Sequence, residues 1–183
     1  MDNDSDILLV RRLKQGDERA FNQIVNRYQQ RLYYLALRMV NDHEDAADIS
    51  QEAFVKAYEG LSKFHENSSL YTWLYRIVIN SAINHQRKKR LWAFLHLEDM
   101  KSLSGSPSGS PDKVLERNEL ADAVDKAIQE LPEKQKAIFV LRYYENLSHR
   151  EIAEIVGRSV GAVKASYFHA VNKLRKALAR FVE

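Results

Sequence analysis

Apolar residues recur at mixed three- and four-residue spacings through most of this chain, the pattern of helices that each bury one face. From Asp6 to Met39 they are Ile7, Leu8, Val10, Leu13, Phe21, Ile24, Val25, Tyr28, Leu32, Leu35 and Leu37, and Gly16-Asp17 interrupts them. The pattern predicts two helices there, with Asp17 as N-cap of a second helix running from Glu18, and with Tyr28, Tyr33 and Tyr34 as core or rim packing. Asn41-Asp42 ends that segment. A third helix over about Glu44 to Leu61 gathers Ala46, Ile49, Ala53, Phe54, Ala57, Tyr58 and Leu61 on one side. A polar connection, His65 to Ser69, leads with Ser69 as cap into a fourth helix over Leu70 to Arg90. On that helix Leu74, Tyr75, Val78, Ile79 and Ala82 share one face, and Trp73, Arg76, Asn80, Asn84 and Arg87 share the other.

From Leu91 to Asn118 the pattern dissolves. Trp92, Phe94, Leu95 and Leu97 give way to S-L-S-G-S-P-S-G-S-P, a composition that builds no core and reads as a flexible tether. Helix resumes near Asp112 and runs to Leu131 on Leu115, Leu120, Val124, Ala127 and Ile128. Pro132 then falls in the first turn of another, which passes Ile138, Phe139, Leu141 and Tyr143 to about Tyr144. Ser148 and Glu151 form a capping box before Ile152, Ala153, Ile155 and Val156, and Gly157 supplies a left-handed close. A turn at Arg158-Ser159 opens a longer helix over Val160 to Phe181, with Val160, Val163, Tyr167, Ala170, Leu174, Leu178 and Phe181 as its buried stripe. Its outward face begins small, with Gly161, Ala162, Ala165, Ser166 and His169, and turns basic at Lys173, Lys176 and Arg180. Small side chains admit a helix to a major groove and basic ones grip phosphate, so a helix-turn-helix is expected; an ordinary helical hairpin with a basic tail is the plainer alternative. The expected architecture is all-α: two small helical domains, 1–95 and 118–183, joined by a flexible linker over 96–117, the C-terminal one a helix-turn-helix.

Composition narrows the function classes. A chain of 183 residues with 45% hydrophobic and 29% charged residues is a soluble globular protein of one ordinary or two small domains. No apolar run approaches the roughly 18 residues of a membrane span, and the N-terminus is acidic and polar, so a cytoplasmic protein without membrane insertion is expected. There is no cysteine, hence no disulfide and no thiolate metal site. The six histidines form no H-x-x-x-H pair, so no metal and no cofactor are expected. The net charge of +3 hides a segregation. Asp42, Glu44, Asp45, Asp48 and Glu52 form an acidic block without a base; Arg76 to Arg90 and Arg158 to Arg180 are basic without an acid. Such blocks argue for one acidic and two basic surfaces, each with its own partner.

On the third helix Glu44, Asp45, Asp48, Gln51 and Glu52 fall within about 120° of one another. Carboxylates at i and i+4, such as Asp48 and Glu52, repel by a few tenths of a kcal/mol unless something cationic answers them. A partner rich in Arg and Lys would do so. A divalent-metal or acid–base site is the enzymatic alternative, and a solvated acidic face the plain one. On the fourth helix the amides can read base edges, the guanidiniums can hold phosphates and the indole can stack, so that face suits a nucleic acid. The alternative is a partly buried Trp on a solvated basic helix. The polar loop before it can hold a flipped base, or simply connect two helices.

D-I-S-Q-E-A-F from Asp48 to Phe54, followed by Y-T-W-L-Y-R-I from Tyr71 to Ile77 and by Asn80, resembles region 2 of the bacterial extracytoplasmic-function sigma factors. E-I-A-x-x-x-G from Glu151 to Gly157 and V-G-A-V-K from Val160 to Lys164 resemble their region 4. The resemblance implies a non-enzymatic initiation factor whose partners are core RNA polymerase, promoter DNA and a cognate anti-sigma factor. By the same resemblance, Asp45, Asp48, Gln51, Glu52 and Phe54 would dock on the basic clamp helices of the large polymerase subunit. Lys56, Lys63, Phe64, Asn67, Ser68, Tyr71, Trp73, Arg76, Asn80, Asn84 and Arg87 would open and read the minus-ten element. Arg158, Ser159, Gly161, Ala162, Lys164, Ala165, Ser166, Phe168, His169 and Lys173 would bind the minus-thirty-five element. The chain departs from common patterns at Asn84, where many relatives carry Asp, and at Ser166, His169 and Val171, where many carry Arg. Two rivals are a stand-alone helix-turn-helix regulator and a metal-dependent nuclease built on the acidic block. The first leaves the acidic wedge and the Trp-Asn-Arg face without purpose, and the second lacks a paired histidine, a nucleophile or a phosphate loop beside its acids.

Overall fold

The computed structural model describes residues 3–64, 68–96 and 115–181. Within them the chain is all-α: α1 (Asn3–Lys14), α2 (Arg19–Val40), α3 (His43–Leu61), α4 (Leu70–His96), α5 (Leu115–Gln129), α6 (Glu133–Tyr143), α7 (His149–Val156) and α8 (Val160–Ala177), closed by a 3-10 turn at Ala179–Phe181. The tether expected over 96–117 lies almost wholly outside the described residues.

The first unit is built on α2, α3 and α4. Ile24, Leu32, Leu35 and Met39 meet Ile49 and Leu61 of α3 and Leu74, Val78 and Ile79 of α4, all essentially inaccessible. Ala46, Ala53 and Ala57 on α3 and Ala82 on α4 let the backbones approach. Sharp boundaries come from local chemistry. Asn41 takes a left-handed conformation (φ 55°) and its N–H donates to Leu37 O; Asp42 then caps α3 by accepting the Asp45 N–H at 2.9 Å. The α1 helix lies across α2, and its buried Asp6 is matched by the Arg27 guanidinium and the Tyr28 hydroxyl. An unpaired carboxylate there would carry a heavy desolvation cost.

The second unit, α5–α8, contains the expected helix-turn-helix. Ser148 Oγ accepts the Glu151 N–H at 3.2 Å, and the Ser148 N–H donates to Glu151 Oε2 at 2.8 Å, completing the capping box. Gly157 closes α7 in the left-handed region (φ 64°), a conformation that favours glycine. Ser159 starts α8 by accepting the Ala162 N–H. The two units do not remain apart: Ala137, Ile138, Val140 and Leu141 of α6 and Ile152 and Ile155 of α7 join the hydrophobic core that begins in α2–α4.

Several expectations are corrected. Arg19, not Glu18, begins α2, and Glu18 at the cap position makes no side-chain bond. Asp17 still serves that end, accepting the Arg19 N–H at 3.1 Å while pairing with Arg12 at 2.6 Å. α4 continues past Arg90 to His96, because Leu91 to Phe94 contain no Gly or Pro to stop it. Pro132 is the N-cap position of α6 rather than a residue of its first turn. α8 ends at Ala177 and only a 3-10 turn carries on to Phe181. Leu8, Tyr58, Leu120 and Val160 are exposed instead of buried. Each lies outside the arc that its helix buries.

Candidate nucleic-acid interface

Trp73, Arg76, Asn80, Asn84 and Arg87, expected on one face of α4, are all at least partly exposed. Ser69 Oγ accepts the Thr72 N–H at 3.2 Å and so fixes where the helix begins. One turn in, Trp73 is half-buried, with its ring 5.2 Å from that of Phe64. Phe64 itself is buried, and Lys14 of α1 donates to its carbonyl at 2.7 Å. Farther along, Asn80, Asn84 and Arg87 are exposed and line a cleft of about 360 Å³, with Ile79 and Ile83 behind them. Lys134, Ala137, Ile138, Val156 and Arg158 form the opposite wall. Two amides and three cations therefore converge on a space bounded by both units. Asn67 lies outside the described residues; Ser68 is half-buried and Lys63 exposed beside it.

The second unit reaches this face with carboxylates and carbonyls. Glu133 pairs with Arg87 at 3.2 Å and also with Arg90. Glu145 accepts from the Tyr75 hydroxyl at 2.8 Å and from Arg38 at 2.6 Å. Glu151 accepts from the Tyr71 hydroxyl, and the Glu154 carbonyl accepts from Arg76. The Tyr71–Glu151 hydrogen bond leaves its mark on both partners: burial and then the Glu151 bond raise the Tyr71 hydroxyl, while Tyr71 and Ser148 hold the Glu151 carboxyl below the usual range. Lys136 is buried in the same contact, donating to Gln129 Oε1 at 2.7 Å and to Met39 O at 3.2 Å. Acidic groups thus occupy basic groups that a phosphate could take, and the Asn80–Asn84 amides remain open.

The acidic wedge of α3 is divided by the fold. Asp48, Gln51 and Glu52 are exposed, and Asp48 makes no ion pair among the described residues. Glu52 is answered by Lys56 at 2.7 Å, which relieves the repulsion anticipated with Asp48. Lys56 also donates to Ser81 Oγ at 3.0 Å, tying α3 to α4. Asp45 turns toward α4, to Lys89 at 2.8 Å and His85 at 3.1 Å. Burial would raise its carboxyl, but the Lys89 bond and the His85 ring outweigh that and hold it low; the same bond holds Lys89 high. Phe54 is half-buried, edge-on to Phe21.

On the helix-turn-helix, Arg158, Gly161, Lys164, Ala165, Phe168, His169 and Lys173 are exposed along one side of α8 and its approach, with Ala162 and Ser166 half-covered. A side chain added at Gly161 would meet nothing within 4 Å, so this end is free to approach another surface. Ser159, expected at DNA, is engaged as the helix cap. Among the described residues no group of His, Asp or Glu could hold a metal ion, and no helix is long and apolar enough to cross a membrane. Lys14, Gly60, Glu133, Glu145 and Lys136 were not singled out from the sequence. Only Gly60, a glycine within a helix, carries a local signal.

Comparisons with known proteins agree in two segments. A model of sigma-70 region 2 matches residues 24–91, and a model of sigma-70 region 4 matches residues 121–174. The chain is 37% identical over 182 residues to the RNA polymerase sigma-H factor of Pseudomonas aeruginosa, covering 96% of this chain and 94% of that one. It is 35% identical over 173 residues to the ECF RNA polymerase sigma-E factor of Escherichia coli K12, covering 91% and 90%. Among solved structures it is similar to CnrH in complex with the cytosolic domain of CnrY, with a TM-score of 0.72 and 26% identity over 96% of this chain and 98% of that one. At 23% identity, the sigma factor RpoE of Bartonella quintana, solved with the anti-sigma factor NepR, shares the fold, with a TM-score of 0.66 over 87% and 96%.

Proposed function

Because the chain belongs to the sigma-70 family, as an RNA polymerase sigma factor of the extracytoplasmic-function type, we propose a division of its surfaces among three tasks. The protein is a non-enzymatic initiation factor that binds core RNA polymerase and directs it to promoters. Asp48, Gln51 and Glu52 dock on basic helices of the polymerase, with Phe54 beneath them; Asp45 supports that surface from behind through Lys89 and His85. The strip from Trp73, backed by the buried Phe64, to Asn80 and Asn84 takes the minus-ten element as it opens. Unstacking costs a few kcal/mol per step, and stacking on the indole with contacts to the amides is of the size needed to offset it. Arg76 and Arg87 anchor phosphates once they exchange their present carbonyl and carboxylate partners. The N-terminal half of α8 enters the major groove of the minus-thirty-five element, with Lys164, Lys173 and Arg158 on its backbone. A cognate anti-sigma factor acts as inhibitor, and the protein works in the cytoplasm, in a stress or envelope response.

The observation that carries this reading is the strip itself: one aromatic, two open amides and flanking cations on α4, in the same chain as a capped helix-turn-helix. A stand-alone regulator would need only the latter. The test is reconstitution with core polymerase. Promoter-dependent transcripts are expected, and Asp48→Arg or Glu52→Arg should weaken polymerase association by about tenfold or more with helicity unchanged. A folded chain that yields no specific transcript from a native promoter library, or wedge variants that bind polymerase as the parent does, would overturn the respective assignment.

A further inference from the structure

We propose that Gly60 is the positioning residue for Trp73, and that Lys14, through Phe64, holds a second wall of the same seat. The proposal rests on the role given to Trp73 above. Gly60 lies in the last turn of α3, one residue before its end. Its backbone is not in the left-handed region, so no turn requires glycine there. In a helix glycine is disfavoured against alanine, which leaves its presence to be explained by space. A Cβ at position 60 would lie 3.0 Å from Trp73 Cζ2 and 3.3 Å from Cη2, closer than carbon atoms normally approach. The indole edge rests directly against the α3 backbone.

The indole also meets Phe64, whose ring is buried and tilted 56° to it. Phe64 follows the end of α3 and is the last described residue before position 65. Its carbonyl is the acceptor for the Lys14 ammonium at 2.7 Å, a bond that ties this corner to the C-terminal end of α1. The indole therefore rests on one wall that has no side chain and on another pinned from a different helix. α1, otherwise scaffold, acquires a part in setting the platform.

Phenylalanine lacks the two atoms that abut Gly60, which makes the assignment separable from folding. Gly60→Ala, Trp73→Phe and the double variant are assembled with core polymerase, and opening is read as permanganate reactivity of thymines in the minus-ten element of a duplex promoter. Gly60→Ala should lower opening about tenfold with Trp73 present and less than about twofold in the Trp73→Phe background, since small misplacements of a positioned group have effects of this order. In the Trp73→Phe background, where those contacts are gone, Gly60→Ala should not lower the thermal midpoint, because alanine is the better helix former. Lys14→Met should lower opening in the same direction. An equal loss in both backgrounds, or no loss with Trp73, overturns the proposal. The packing is also read without polymerase: in a Trp92→Phe chain, where Trp73 is the sole indole, Gly60→Ala should shift its fluorescence maximum. An unshifted maximum sinks the seat. A shifted maximum in a holoenzyme whose parent opens no promoter would instead overturn the proposed function.

Discussion

Lys136 shows how a single buried cation enters the energetics of this molecule. Its side chain is almost inaccessible, between Met39 O and Gln129 Oε1, and burial with the nearby Arg90 charge pushes the ammonium down to about 8. Below that value the group is protonated in both folded and unfolded chains and its desolvation cost is present in full. Above it the folded chain releases a proton that the unfolded chain still holds, so stability rises with pH. We expect unfolding free energy to increase by on the order of 1 kcal/mol between about pH 8 and 9.5. The window stops there because burial raises the Tyr28 and Tyr75 hydroxyls, and their protonation favours the folded chain progressively less above about pH 10. Lys136→Met should flatten the rise, since Met39 O keeps its donor from Gln86 at 2.6 Å. Denaturant titrations across the window check this; an unchanged slope in the variant would place the titrating group elsewhere.

Helix ends are where this sequence is most readable, and where it fails the failure is instructive. The Ser148–Glu151 box, the left-handed Gly157 and the Ser69 cap were legible because each depends on residues within one turn. Ser148→Ala should cost about 1 kcal/mol of stability, followed as helix signal in denaturant, and Ser148→Thr should restore most of it. A variant as stable as the parent would mean that Glu151 holds the turn through Tyr71 alone. The end of α4 was not legible: Leu91 to Phe94 read as a loss of periodicity, yet nothing there stops a helix, and the chain continues to His96 with Leu91, Trp92 and Phe94 exposed. Periodicity reports burial, and an exposed helix gives none.

At the scale of the whole molecule, the second unit packs on the first through partly exposed ion pairs over a shared apolar core. Glu133 and Glu145 occupy Arg87, Arg90 and Arg38, cations of the unit that carries Asn80 and Asn84. Replacing both with Gln should loosen the contact. The expected results are a larger radius of gyration in solution scattering and about tenfold tighter binding of a single-stranded minus-ten oligonucleotide by the free chain. Added salt should loosen the parent in the same direction, since exposed pairs are screened within about 10 Å at 0.1 M. A compact double variant that binds no better would show that the apolar core alone holds the units together.

The sequence by itself determined the helices, the Ser69, Ser148 and Gly157 caps, the helix-turn-helix, the acidic wedge and the amide-bearing face of α4, and it carried both family motifs. All of these rest on spacings within a few turns, where the geometry of a helix converts residue order into position. The tertiary structure alone decided that Asp45 leaves the wedge for Lys89, that Glu133 and Glu145 meet cations 46 and 107 residues away, and that Gly60 opens a seat for Trp73. Those pairings depend on which helix faces pack together. No local pattern encodes that choice, because any carboxylate on an exposed face satisfies the same periodicity whether it meets water, a basic side chain or another helix.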